Sequence, residues 1–261
     1  MFPLTIKIKY ASLVFAAIFF CRAGVALDIT PRKYTCYKTS TPITMDAILN
    51  EPAWKNAVPI NDWTICVDEK KTYQSATVKT TAWICWDDTY LYLAWECRDQ
   101  DISGKTTKKD DAVWEDDAFE IHIDPDGDGK DYVEIEINPL NNCLDLLIPK
   151  PRMASWKEEA QFNVVGMRWV TRIYGTLNYK CDTDDKWVGE IRIPFASLSA
   201  VTTTRPVNLP PKNGDGWRIQ CYRAERGGTV RGGVEWSAWS PTKAPHLLDE
   251  FAFITFLNQK P

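Results

Sequence analysis

Apolar and polar residues alternate along much of this chain, and helical periodicity is almost absent. Successive side chains of a strand point to opposite faces, so alternation predicts strands with one buried and one polar face. From Ala118 to Asp124, Phe119, Ile121 and Ile123 fall on one side, and Glu120 and His122 on the other. From Tyr132 to Asn138, Val133, Ile135 and Ile137 are set against Tyr132, Glu134, Glu136 and Asn138. The intervening Pro125-Asp-Gly-Asp-Gly-Lys-Asp131 is rich in turn formers, which predicts a hairpin. Asp87-Asp88 likewise joins Ala82–Trp86 to Tyr90–Arg98, where Leu91, Leu93, Trp95 and Cys97 share a face. Trp187–Ile193, ended by Pro194, and Trp217–Tyr222 repeat the pattern, and Phe195–Leu198 reads as one helical turn.

Many strands of this kind predict an all-β fold, a two-sheet antiparallel β-sandwich of jelly-roll-like form. Laid side by side, the polar rows would form one continuous face of Glu96, Arg98, Glu120, His122, Glu134, Glu136, Asn138, Glu190, Arg192, Arg218 and Gln220. A merely solvated sheet face gives the same pattern.

The N-terminus changes the picture of where the protein works. Lys7 and Lys9 precede an apolar run from Tyr10 to Phe20, followed by Ala23, Gly24, Val25 and Ala26. That order is expected of a secretory signal over residues 1–26, leaving 27–261 as a single domain. The expected destination is export: extracellular, periplasmic or cell-surface. The run is too short to span a bilayer, and no later segment is apolar enough to do so. A net charge of −4 without a basic stripe argues against nucleic acid as a partner. Of eight cysteines, one lies in the leader; the other seven are an odd number without a CxxC pair, so at least one has no partner in the chain and a cysteine zinc site is excluded.

The run from Trp114 to Asn138 resembles the family 9 carbohydrate-binding modules. Met45-Asp46 with Asn50-Glu-Pro-Ala-Trp54 is similar to that family's opening, although Ala47 stands where the family usually has glycine. Trp86–Ala94, Trp187–Pro194, Gly216–Ile219, Trp239-Ser-Pro241 and Phe251–Phe256 follow in the family's order. The resemblance implies a β-sandwich that binds mono-, oligo- or polysaccharide without cleaving it, often with calcium, and commonly beside xylan- or cellulose-degrading domains. Residues 27–261 are expected to form that one module, without a catalytic domain beside it.

Twelve tryptophans are a heavy load for this length, and a loop-borne ring can stack on a sugar face. Trp114 and Trp156 occupy loop-like settings and are the candidate clamp; Trp239, with Trp236, lies near the same end. Arg98, Glu120, Glu136, Asn138 and Arg223 are candidates for hydrogen bonds to hydroxyls. Asp124, Asp126 and Asp128 place carboxylates at every second residue, a spacing suited to structural Ca²⁺, but the bidentate glutamate of an EF-hand is missing. Two other readings stay open: a hydrolase of O-glycosyl bonds, since Glu134 and Glu136 project together, and a cell-surface protein-interaction domain. Neither histidine, His122 nor His246, comes with a GxSxG motif.

Overall fold

The computed structural model describes residues 30–66, 73–149, 155–227 and 233–259; the expected leader lies outside them. Among the described residues the strands are β1 (Lys33–Lys38), β2 (Thr64–Ile65), β3 (Thr80–Trp86), β4 (Tyr90–Arg98), β5 (Ala118–Asp124) and β6 (Tyr132–Ile137). They continue with β7 (Cys143–Ile148), β8 (Arg168–Tyr174), β9 (Lys186–Pro194), β10 (Gly216–Glu225), β11 (Glu235–Ala238) and β12 (Ala252–Leu257). Short helices α1 (Pro52–Asn56) and α2 (Trp156–Glu159) lie in connections.

These strands form one hydrogen-bonded sheet, ordered β7-β6-β5-β10-β12-β1-β3-β4-β9-β8, with β11 and β2 branching from β10. Its curl is fixed by a contact. Trp95 on β4 lies flat against Phe119 on β5, ring centroids 4.6 Å and planes 2° apart, although the two strands belong to opposite halves of the order. The inward rows Phe119/Ile121/Ile123, Val133/Ile135/Ile137 and Leu91/Leu93/Trp95 pack in one core between those halves. Each fully buried side chain of this kind contributes roughly 1.5–3 kcal/mol. On β9, a methyl at Gly189 would stand 2.1 Å from the Trp95 ring, so the indole lies directly over bare backbone.

Two expectations need correction. The sheet is mixed rather than antiparallel and is continuous rather than split: β1 runs parallel to both β12 and β3. Parallel neighbours need a long crossover, and the chain between β1 and β3, which carries α1 and β2, provides it. The polar rows also do not form one face. Glu96, Arg98, Glu190 and Arg192 lie on β4 and β9, in the half opposite Glu120, His122, Glu134 and Glu136 on β5 and β6. Nor are the latter solvated, for all four are buried. A second apolar layer covers them, made of Tyr132, Leu144, Leu146, Ile148, Leu248 and Phe251 with Trp114, Trp156 and Trp236.

Candidate functional site

The β5–β6 register sets Glu120 directly opposite Glu136 and His122 opposite Glu134, on the face away from the main core. Over this row the chain builds a rim from three separate places. Trp114 rides on a 3₁₀ turn, Val113–Glu115, before β5. Trp156 opens α2, and Trp236 lies on β11. Trp114 and Trp156 meet edge to face, centroids 4.8 Å and planes 87° apart. Together they enclose a cleft of about 250 Å³, lined also by Glu120, Glu134, Glu136, Leu146, Ile148, Glu159, Pro245 and His246. That is near the small end of ligand pockets, which run about 300–1,000 Å³.

The rim is held by hydrogen bonds from below. Asp116 accepts from the backbone N–H of Lys105 (3.0 Å) and Thr106 (2.8 Å), closing the loop that carries Trp114. The Asn138 amide donates to the Thr106 carbonyl (2.8 Å) and to Asp116 (2.9 Å). Arg226 donates to the Trp114 carbonyl at 2.5 Å and sets its guanidinium 5.3 Å from the Trp236 ring centre, tying two walls together.

The floor is electrostatically unusual. Glu120 Oε1, Glu134 Oε2 and Glu136 Oε2 are buried without a hydrogen-bond partner, and so are both ring nitrogens of His122. Most buried polar groups find a partner, so these oxygens and nitrogens are the ones a water, ion or ligand in the cleft could satisfy. Burial holds the Glu136 carboxyl well above the usual range, and the neighbouring Glu120 and Glu134 push it further. Burial also raises Glu120. Burial disfavours a charged His122, but Glu134 and then Glu120 outweigh it and lift the imidazole to about 9. Glu134 is the reverse: burial works against its charge, yet His122 and His246 bring it down to about 2. One carboxylate–imidazolium pair thus lies beside two carboxyls whose ionisation burial and like charge oppose.

Of the candidates read from the sequence, Trp114, Trp156, Glu120 and Glu136 come together here. Four others do not. Asn138 is sealed beneath the rim, its amide and carbonyl engaged by Thr106, Asp116 and the Asn142 N–H. Arg223 is on the inward face of β10, fully buried, bonded to the Arg98 carbonyl (2.7 Å), Thr80, Asp99 and Glu225. Arg98 sits on β4 in the other half, paired with Glu96 and Asp185. Trp239 is buried edge-on against Tyr34, centroids 5.7 Å apart. His246, Glu159, Arg226 and the β7 residues were not read as site residues. For β7 a signal existed: Cys143–Ile148 is apolar on both faces apart from Asp145, as a strand covered on both sides tends to be.

In the β5–β6 turn, Asp124, Asp126 and Asp128 bring carboxylate oxygens within 4.8 Å of one another. Asp124 accepts from Gly127 (2.7 Å) and Gly129 (3.0 Å), both at positive φ. Burial, opposed by those two N–H groups and aided by Asp126, raises Asp124 to about 6. Thr204 bonds Asp126 and Asp128 from the facing loop. The residues fit a hard divalent cation: the donors are all oxygens, and the crowded negative charge is what such an ion relieves, although Asp126 Oδ2 already accepts from Thr204 and from the Arg205 N–H.

The architecture, a curled β-sheet with a tryptophan-rimmed acidic cleft on one outer face, is that of a small binding module. The carbohydrate family 9 binding domain-like model matches residues 45–246, and the chain belongs to that family. Among solved structures, a family 9 carbohydrate-binding module from Caldicellulosiruptor kristjanssonii in complex with cellotriose is 15% identical, with a TM-score of 0.55 over 88% of this chain and 95% of that one. The same organism's module in complex with glucose is 16% identical, with a TM-score of 0.54 over 88% and 97%. A putative carbohydrate-binding protein from Bacteroides uniformis is 15% identical, with a TM-score of 0.56 over 87% and 100%. At these identities the likeness is one of fold. No curated protein gives a significant sequence match.

Proposed function

We propose that this protein binds a saccharide in the cleft between Trp114, Trp156 and Trp236, without cleaving it. The observation that carries this reading is the pairing of two kinds of surface. Indole faces suit the C–H side of a sugar ring, and partnerless carboxyl oxygens beneath them suit its hydroxyls, which donate and accept together. Family membership and the sugar complexes of similar folds support it.

The acids argue against hydrolysis. A glycosidase sets two carboxyls about 5–10 Å apart, flanking the bond to be cut. Here Glu120, Glu134 and Glu136 lie side by side on one face of β5 and β6 rather than on two walls flanking a bound chain. They face a ligand from the same side.

The N-terminal pattern supports export, with the mature chain starting at Leu27, and a role in polysaccharide recognition or breakdown outside the cytoplasm. The Asp124/Asp126/Asp128 turn would hold structural Ca²⁺, fixing the base of the β5–β6 hairpin.

A glycan array probed with the wild-type chain and with Trp114→Ala and Trp156→Ala tests the binding reading. Binding of a defined glycan class that both substitutions weaken supports it. No binding, or binding unchanged in both, rejects it. Turnover of the bound glycan, abolished by Glu136→Gln, would make the cleft an active site instead.

A further inference from the structure

His122, Glu134 and His246 each offer a ligand atom, and the three atoms lie within 4.8 Å of one another. The separations inside this group have a particular length. His122 Nε2 is 3.4 Å from Glu134 Oε1 and 3.7 Å from Glu120 Oε2, and His246 Nδ1 is 3.7 Å from Glu134 Oε2. These are too long for good hydrogen bonds. Two atoms bound to one tetrahedral zinc at about 2.0–2.1 Å stand about 3.3 Å apart, close to the 3.4 Å of His122 and Glu134 Oε1, while the two 3.7 Å pairs, one of them through the other Glu134 oxygen, would close slightly around the ion. His122 adds an independent sign. It has no exposure at all, yet neither ring nitrogen has a hydrogen-bond partner.

We propose that His122, Glu134 and His246 form a binding site for a divalent transition-metal ion, zinc-like in preference, with Glu120 as the nearest further ligand. Two imidazoles and a carboxylate select Zn²⁺ or its neighbours over Ca²⁺, which takes oxygen. The site is distinct in chemistry and place from the all-aspartate turn. The Tyr132 hydroxyl, now 2.5 Å from His246 Nδ1, is the group the ion would displace. His246 lies on the cleft wall, so the remaining coordination positions of the ion would open toward the cleft. The inference does not rest on the saccharide reading, because the ligands are all protein groups.

The test is calorimetric titration of Zn²⁺ into the full mature chain without sugar, with Co²⁺ absorption as a second readout. One equivalent should bind, and Co²⁺ should give visible bands of a tetrahedral site. His246→Ala and Glu134→Gln should each weaken Zn²⁺ at least about ten-fold, while Asp126→Asn leaves it unchanged. His246 is partly exposed, so its loss leaves the folded core intact, which a denaturant melt verifies. No saturable Zn²⁺ binding, or binding that survives His246→Ala and so belongs to thiols or the aspartate turn, overturns the proposal. A chain that binds glycan but not Zn²⁺ rejects the metal site and leaves the saccharide reading standing.

Discussion

Glu120 and Glu136 stand directly opposite each other on neighbouring strands, both buried, at the floor of an open cleft. Ionising both would set like charges face to face across the ladder and add a desolvation cost, so the pair resists losing its protons. A fold that keeps such a pair gives up stability at the place where it meets a ligand.

That arrangement predicts a pH dependence in metal-free protein. Glu136 and Glu120 hold their protons more tightly folded than unfolded, so stability falls as pH rises past about 4.5. His122, raised to about 9, contributes stability that is complete below its unfolded value near 6.5 and is lost as pH rises through about 9. Glu134, lowered to about 2, contributes in the opposite sense, with stability lost as pH falls from about 4.5 through about 2. Melting in EDTA should therefore be highest near pH 5. Glu136→Gln should raise Tm at pH 8 by at least about 2 °C, as roughly 1 kcal/mol does in a chain of this size, with the gain shrinking toward pH 5. A gain that is independent of pH would contradict this.

Arginines 98 and 223 should separate cleanly in denaturant melts. Arg98→Ala removes exposed ion pairs and should change stability by no more than about 0.5 kcal/mol. Arg223→Ala takes a buried guanidinium from Asp99 and Glu225 and should cost about 3–5 kcal/mol. Any glycan that the wild type binds should still bind to Arg98→Ala with unchanged affinity.

Calcium should stabilise through the β5–β6 turn. At about 100-fold excess over its Kd, a ligand adds about 2.7 kcal/mol, so Ca²⁺ should raise Tm by several degrees over EDTA. Asp126→Asn should abolish that increment. An equal increment in the variant would place the ion elsewhere.

Ala47 supplies a backbone test. It sits at φ 55, in the left-handed region, fully buried, with its N–H donated to Glu190 at 2.6 Å. Left-handed backbone costs an L-residue about 1–2 kcal/mol and glycine little. Ala47→Gly trades that relief against lost methyl burial and added chain entropy, and should stay within about 1 kcal/mol. Ala47→Val, β-branched in the same conformation, should lose at least about 2 kcal/mol.

The strands that line the cleft were legible because alternation is strongest there. Ala118–Asp124 runs over the residues where the pattern placed it, and Tyr132–Ile137 ends one residue short of the expected Asn138. The parallel placement of β1 was not legible, because Lys33–Lys38 mixes both characters and its partners are far away in sequence. Of the site residues, Arg223 could have been excluded: it shares parity with Trp217, Ile219 and Cys221 on β10 and so faces inward. His246 could not have been found, since it reaches the floor from a loop with no periodicity. Nor does alternation tell a solvated outer row from one roofed by loops, which is why Glu120 and His122 read as exposed.

The most direct test of the central claim is titration of a soluble glycan, cellotriose first and then those an array selects, followed by tryptophan fluorescence and calorimetry. The account predicts saturable binding by the wild type that Trp114→Ala and Trp156→Ala each weaken by about 30-fold, the roughly 2 kcal/mol of an anchoring aromatic. Equal affinity in all three chains, or no glycan bound by the wild type, would contradict it.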